Sequence, residues 1–139
     1  MFLVRLVYVS QVTDSVTEDD VQQILGSARK NNAELEVTGL LCFNRKYFLQ
    51  CLEGSREKVN NIYHKICNDK RHNHLVLLDY QAIDRREFGD WTMGYVPDIS
   101  LTENLNLKYS SSKVFSPYQM SGQACHDLLM ELSLTVPVI

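Results

Sequence analysis

The stretch Tyr47-Phe48-Leu49-Gln50-Cys51-Leu52 decides how this chain folds. Successive side chains of a strand point to opposite faces, so Phe48, Gln50 and Leu52 share one side and Tyr47, Leu49 and Cys51 the other. Both sets are apolar apart from Gln50, which is expected of a strand in a sheet covered on both faces. Gln50 is the exception that matters. A buried carboxamide must find partners for its carbonyl and its NH₂, or cost a few kcal/mol. Tyr8 poses the same problem inside Leu6-Val7-Tyr8-Val9, and Asn31 and Asn32 pose it in a helical stretch. A fold that gathers these groups could hydrogen-bond a planar ligand; the alternative is that each is satisfied locally.

Outward from this strand the elements follow in order. Leu3 to Ser10 predicts a first strand, with Leu6 and Tyr8 on one face and Arg5, Val7 and Val9 on the other. Thr17 is a candidate N-cap with Asp20 as a short capping-box partner. Val21, Ile24, Leu25 and Ala28 then keep the i, i+3, i+4, i+7 spacing of an amphipathic helix, which is expected to fade at Asn31-Asn32. Val37 to Phe43 pairs as a hairpin with residues 47–52 across Asn44-Arg45-Lys46. Val59, Ile62, Tyr63 and Ile66 mark a second helix. Leu75 to Tyr80 is a fourth strand, residues 83–90 a charged connection, and Trp91 to Val96 a short edge strand.

The resulting order is β-α-β-β-α-β-β, an α+β, ferredoxin-like pattern with one added strand and two helices on one sheet face. The opposite face also needs a cover. The tail can supply it through candidates at Leu101–Leu105 and Gln123–Leu132; a second subunit is the other option. The division expected is a domain over 1–97 and a helical tail over 98–139.

Composition narrows the function. The chain has 139 residues, a 45% hydrophobic fraction, and a formal charge of -3 from 14 basic and 17 acidic residues, fitting one compact soluble domain. No basic stripe stands out, which disfavours nucleic acid as a partner. Met1 to Arg5 run directly into strand pattern, so no signal peptide is expected, and no run of about 20 apolar residues predicts a membrane span. Cys42, Cys51, Cys67 and Cys125 match no metal or redox spacing; three sit in apolar pattern, which suits a reducing cytoplasm. His64 reads as exposed, and His72 and His74 as flanking a polar turn. No P-loop, dinucleotide glycine triplet, zinc helix or nucleophile elbow occurs, and nothing nominates the nucleophile and base a hydrolase would need.

One combination is more specific: Arg5-Leu6-Val7-Tyr8-Val9-Ser10, Asn31-Asn32-Ala33, Thr38-Gly39-Leu40-Leu41, Phe48-Leu49-Gln50-Cys51-Leu52-Glu53-Gly54, Asp69-Lys70-Arg71-His72 and Trp91-Thr92-Met93. It resembles the BLUF family of flavin-based blue-light sensors from about Leu3 to Val96, especially the short members. Thr92 departs from the serine common there but keeps the hydroxyl. The resemblance implies a flavin, usually FAD, between the two helices and the sheet, with Ile24 and Ile66 clamping the ring. Asn32 would pair with its N3-H and carbonyl edge, with Asn31 beside it. Asp69 and Arg71 would lie near the other edge and the flavin side chain. Tyr8 and Gln50 would be the photoactive pair: light-driven electron transfer from Tyr8, a proton following through Gln50, then recombination that leaves the Gln50 amide rearranged and the absorption shifted to the red. Trp91 and Met93 would pass the change to the tail. Output would go through self-association or a separate signalling protein. The alternative is a ferredoxin-like interaction or small-ligand module without photochemistry. Polar groups in both central strands argue against it, being costly in a plain scaffold.

Overall fold

In the computed structural model of the chain, which describes residues 2–13 and 16–139, the expected element order is present with extra helical turns in the tail. Met1, part of the Met1–Arg5 stretch read as lacking a signal peptide, lies outside the described residues. The strands are β1 (Leu3–Val12), β2 (Thr38–Phe43), β3 (Tyr47–Ser55), β4 (His72–Ile83) and β5 (Gly94–Val96); the helices are α1 (Glu18–Leu35), α2 (Arg56–Cys67), α3 (Glu103–Tyr109) and α4 (Gly122–Thr135). The sheet order is β4-β1-β3-β2-β5. The first four strands are antiparallel neighbours in the ferredoxin-like arrangement, and β5 adds parallel to β2.

Strand parity predicts the two cores correctly. Val4, Leu6, Tyr8, Phe48 and Leu52 face α1 and α2, packing with Val21, Leu25, Val59 and Ile62. Val7, Leu49 and Cys51 face the other way, against Phe115, Cys125, Leu128, Leu129 and Leu132 of the tail. The tail is therefore the second cover. Its helices run from Glu103 and Gly122 rather than from Leu101 and Gln123, because Thr102 and Ser121 cap them by accepting the amides of Leu105 and Ala124.

Three further differences from expectation bear on the site. Helix α1 does not fade at Asn31-Asn32. It runs on to Leu35 and stops where Glu36 takes a left-handed conformation (φ 55°). Strand β4 begins at His72, since its long ladder with β1 extends the pairing to Val12. Strand β5 starts only at Gly94; Trp91, Thr92 and Met93 lie in a turn before it. That turn sits tightly on β2. The Gly39 amide donates to the Trp91 carbonyl at 3.1 Å. A Cβ on Gly39 would come 2.0 Å from the Cys51 carbonyl oxygen of β3 and 3.2 Å from Met93 Cε, so glycine is what lets β2 sit between them.

Candidate functional site

A cavity of about 160 Å³ lies between helices α1 and α2 and the sheet. Its floor is Tyr8, Leu41, Phe48 and Gln50. Ile24, Ala28, Asn31 and Asn32 line it from α1, and Ile62, Lys65 and Ile66 from α2; Asp69, Arg71 and His72 close one end.

Tyr8 and Gln50 are direct cross-strand partners in the β1–β3 ladder, so the register alone brings them together. The Tyr8 phenol donates to Gln50 Oε1. Gln50 Nε2 in turn donates to Met93 Sδ at 3.4 Å. All three residues are buried. Burial, reinforced by Tyr63, Cys67 and Asp69, pushes the Tyr8 phenol far above its ordinary pKa, so it holds its proton and remains a donor. Trp91 does not join this line. It packs half-buried with the outer core and tail residues Val136 and Val138, whereas Met93 belongs to the core around the cavity.

Asn32 is buried on α1 and its amide donates to the Thr92 carbonyl at 2.7 Å, one residue from Met93. Its side-chain carbonyl oxygen takes no hydrogen bond among the described residues. Asn31 is exposed at the mouth of the same cavity. Ile24 and Ile66 are half-buried on opposite helices. Asp69 and Arg71 pair with each other: Arg71 Nη2 lies 2.6 Å from Asp69 Oδ2, and Nε donates to both carboxylate oxygens. The hydrogen bonds from Arg71 hold the Asp69 carboxyl below its usual range.

His72 is a cavity residue that sequence reasoning placed at a turn. Its Nε2 lies 2.9 Å from the Ile66 carbonyl and its Nδ1 2.7 Å from Ser10 Oγ. A carbonyl only accepts, so Nε2 carries the proton and Nδ1 accepts from the Ser10 hydroxyl. Burial lowers its pKa, keeping the ring neutral. It meets Tyr8 and Phe48 edge-on. The available signal was topological: in a ferredoxin-like sheet β4 runs beside β1, which brings residue 72 opposite the end of β1.

This donor set suits a flat heteroaromatic ring. Branched aliphatic side chains come from both helices, carboxamides from α1 and β3, and basic groups from Lys65 and Arg71. The flavin expected from the residue pattern therefore fits the groups present. Among the described residues there is no cluster of His, Cys, Asp and Glu able to hold a metal, and no helix long and apolar enough to cross a membrane.

Comparison with known proteins agrees. Residues 3–94 match the family model described as BLUF, sensors of blue-light using FAD. The chain is 37% identical over 87 residues to the blue light- and temperature-regulated antirepressor BluF of Escherichia coli, covering 63% of this chain and 22% of that protein. It thus spans about a fifth of the length of that relative. A structure titled BlsA photo-activated state superposes with a TM-score of 0.86 at 32% identity, over 96% of both chains. Klebsiella pneumoniae BlrP1 with FMN and cyclic diGMP matches with a TM-score of 0.65 at 32% identity, over 68% of this chain and 26% of that one. With the family model spanning most of the sheet and both cavity helices, this chain belongs to the BLUF family of flavin-binding blue-light sensors.

Proposed function

We propose that this chain binds FAD noncovalently in the cleft between α1 and α2 and works as a light switch rather than an enzyme, with Gln50 as its moving part. The observation that carries the proposal is the unbroken buried line from the Tyr8 phenol through Gln50 to Met93 Sδ. A bound flavin supplies the light-absorbing ring and an excited state able to accept an electron. Tyr8 is the oxidisable, protonated donor within reach of Gln50. Ile24 and Ile66 hold the ring, and Asn32, with Asn31 beside it, holds one polar edge. Asp69 and Arg71 bind near the other. Rotation of the Gln50 amide would exchange its donor and acceptor ends and turn the carbonyl toward the Met93 thioether, which has no proton to donate; tautomerisation would instead convert the carbonyl into a hydroxyl that donates from the same position. Met93 is thus the side chain that registers the change, and Trp91, on the outer side, passes it to the tail.

In this reading residues 1–97 sense and residues 98–139 transmit, to a second copy or to a separate cytoplasmic signalling protein, without nucleic acid. The test is spectroscopic. Purified protein should release FAD on heating, and blue light should produce a reversible red shift. Gln50→Leu and Tyr8→Phe should keep the flavin and lose the shift. A wild-type shift and dark recovery in either variant would overturn the roles assigned. A protein that takes up no flavin would favour a ligand-binding module without photochemistry.

A further inference from the structure

Arg29 stands outside the residues assigned above, yet its guanidinium joins two distant parts of the chain. From α1, its Nε donates to the Met93 carbonyl at 3.0 Å and its Nη2 to the main-chain oxygen of Ile139 at 2.8 Å. Ile139 and Tyr95 exchange both backbone hydrogen bonds, each 3.0 Å, the arrangement of a bonded antiparallel pair. The segment after α4 therefore returns to lie along the free edge of β5. Gly94 makes the close approach possible: a Cβ there would come 2.6 Å from Val138 Cγ1 and 2.8 Å from Leu40 Cδ1.

Met93 is thus held twice. Gln50 bonds its side chain, and Arg29 bonds its carbonyl while also bonding the segment laid on β5. We propose that Arg29 is a positioning residue that couples the Gln50–Met93 contact to residues 136–139, so that rearrangement at Gln50 loosens this segment from the edge of β5. The inference rests on the photochemical reading of Gln50 for its trigger, not for the clamp itself. A guanidinium presents its donors in a rigid planar fork. It can keep both oxygens only while their spacing is held, because a hydrogen bond is lost beyond about 3.5 Å. When Met93 withdraws from a carbonyl-facing Gln50, its peptide shifts, the fork cannot follow both acceptors, and Ile139 loses one of its two donors. The remaining Tyr95–Ile139 pair is a short ladder at a sheet edge, the kind of pairing that opens first.

The test is amide hydrogen exchange on the flavin-loaded full chain, in the dark and under blue light, with the difference spectrum recorded on the same samples. In the wild type, the Tyr95 and Ile139 amides should exchange slowly in the dark and roughly tenfold faster in the light, the weight of about one hydrogen bond. Arg29→Gln should keep the red shift but exchange both amides at the light-state rate in the dark, so that light makes no further difference. Arg29→Lys, which keeps the charge but not the fork, should fall between. Wild-type dark protection and a wild-type light response in Arg29→Gln would overturn the coupling. So would a wild-type red shift with no change at Tyr95 and Ile139. A wild type that shows no red shift refutes the photochemical reading instead; the clamp is then judged on the dark arm, where unchanged protection in Arg29→Gln refutes it.

Discussion

The Tyr8–Gln50 contact can be weighed by a double-mutant cycle. Both residues are almost fully buried, at 3% and 6% exposure, and the phenol donates directly to the carboxamide. Tyr8→Phe keeps the ring against Tyr63, 5.5 Å away between centroids, and leaves Gln50 Oε1 without its donor. Gln50→Leu keeps the volume approximately and leaves the phenol without its acceptor. Each single change strands a buried polar group, at about 1–3 kcal/mol. The double variant strands neither, since both partners become apolar. The singles should therefore sum to more than the double by about 2 kcal/mol or more, well above the roughly 0.5 kcal/mol scatter of independent sites. Urea denaturation in the dark at two fixed flavin concentrations measures this. The two concentrations separate the pair's contribution from any change in cofactor affinity, which acts by mass action. Costs that simply add would refute the claim that the two side chains satisfy each other.

Other changes test the frame around the site. Gly39→Ala should destabilise by about 3 kcal/mol or more, because its Cβ would meet the Cys51 backbone oxygen at 2.0 Å; a thermal melt within a degree of wild type would contradict the packing. Glu53, fully buried on β3, accepts the amides of Glu87 at 2.7 Å and Phe88 at 2.9 Å. Glu53→Gln offers one acceptor oxygen in place of two, so the Phe88 amide should exchange faster and stability fall by about 1–3 kcal/mol. His126 on α4 is buried with Nε2 unpartnered among the described residues. Burial first, and Arg5 next, lower its pKa, against the opposing pull of Asp127, Asp79 and Glu87. The folded state thus keeps the ring neutral while the unfolded state protonates near pH 6.5, so its contribution is lost as pH falls through 6.5 toward the depressed folded value. His126→Leu should be neutral to about 1 kcal/mol more stable at pH 8. Its advantage in urea midpoint should widen at pH 5.5, and an advantage that shrinks on acidification would refute the sign.

Alternation in residues 3–10 and 47–52 was enough to assign every side chain of the two central strands to its face, because a period of two leaves no freedom once a strand exists. It grouped Tyr8 with Leu6 and Gln50 with Phe48 and Leu52, and helix periodicity placed Ile24 and Ile66 on the apolar stripes of their helices; the β1–β3 register then sets Tyr8 opposite Gln50. Trp91 and Met93 are expected in the edge strand from Trp91 to Val96, but they lie before β5, which begins only at Gly94. Only the folded chain shows that Met93 reaches Gln50 while Trp91 packs on the far side. Asn31 and Asn32 suggested a helix end because short amides compete with the backbone locally. The helix continues because the Asn32 amide is taken by Thr92, 60 residues away, a partner no local rule can supply. His72, held by Ser10, and Arg29, held by Met93 and Ile139, are the same case, since each of these partners lies more than 60 residues away. Sequence periodicity determined the strands, the helices and which side chains of an element share a face, because those follow from local spacing, while the candidate cleft residues came from the family resemblance. Tertiary structure alone decided which polar groups satisfy one another, because a hydrogen bond depends on positions in space that distant segments set together.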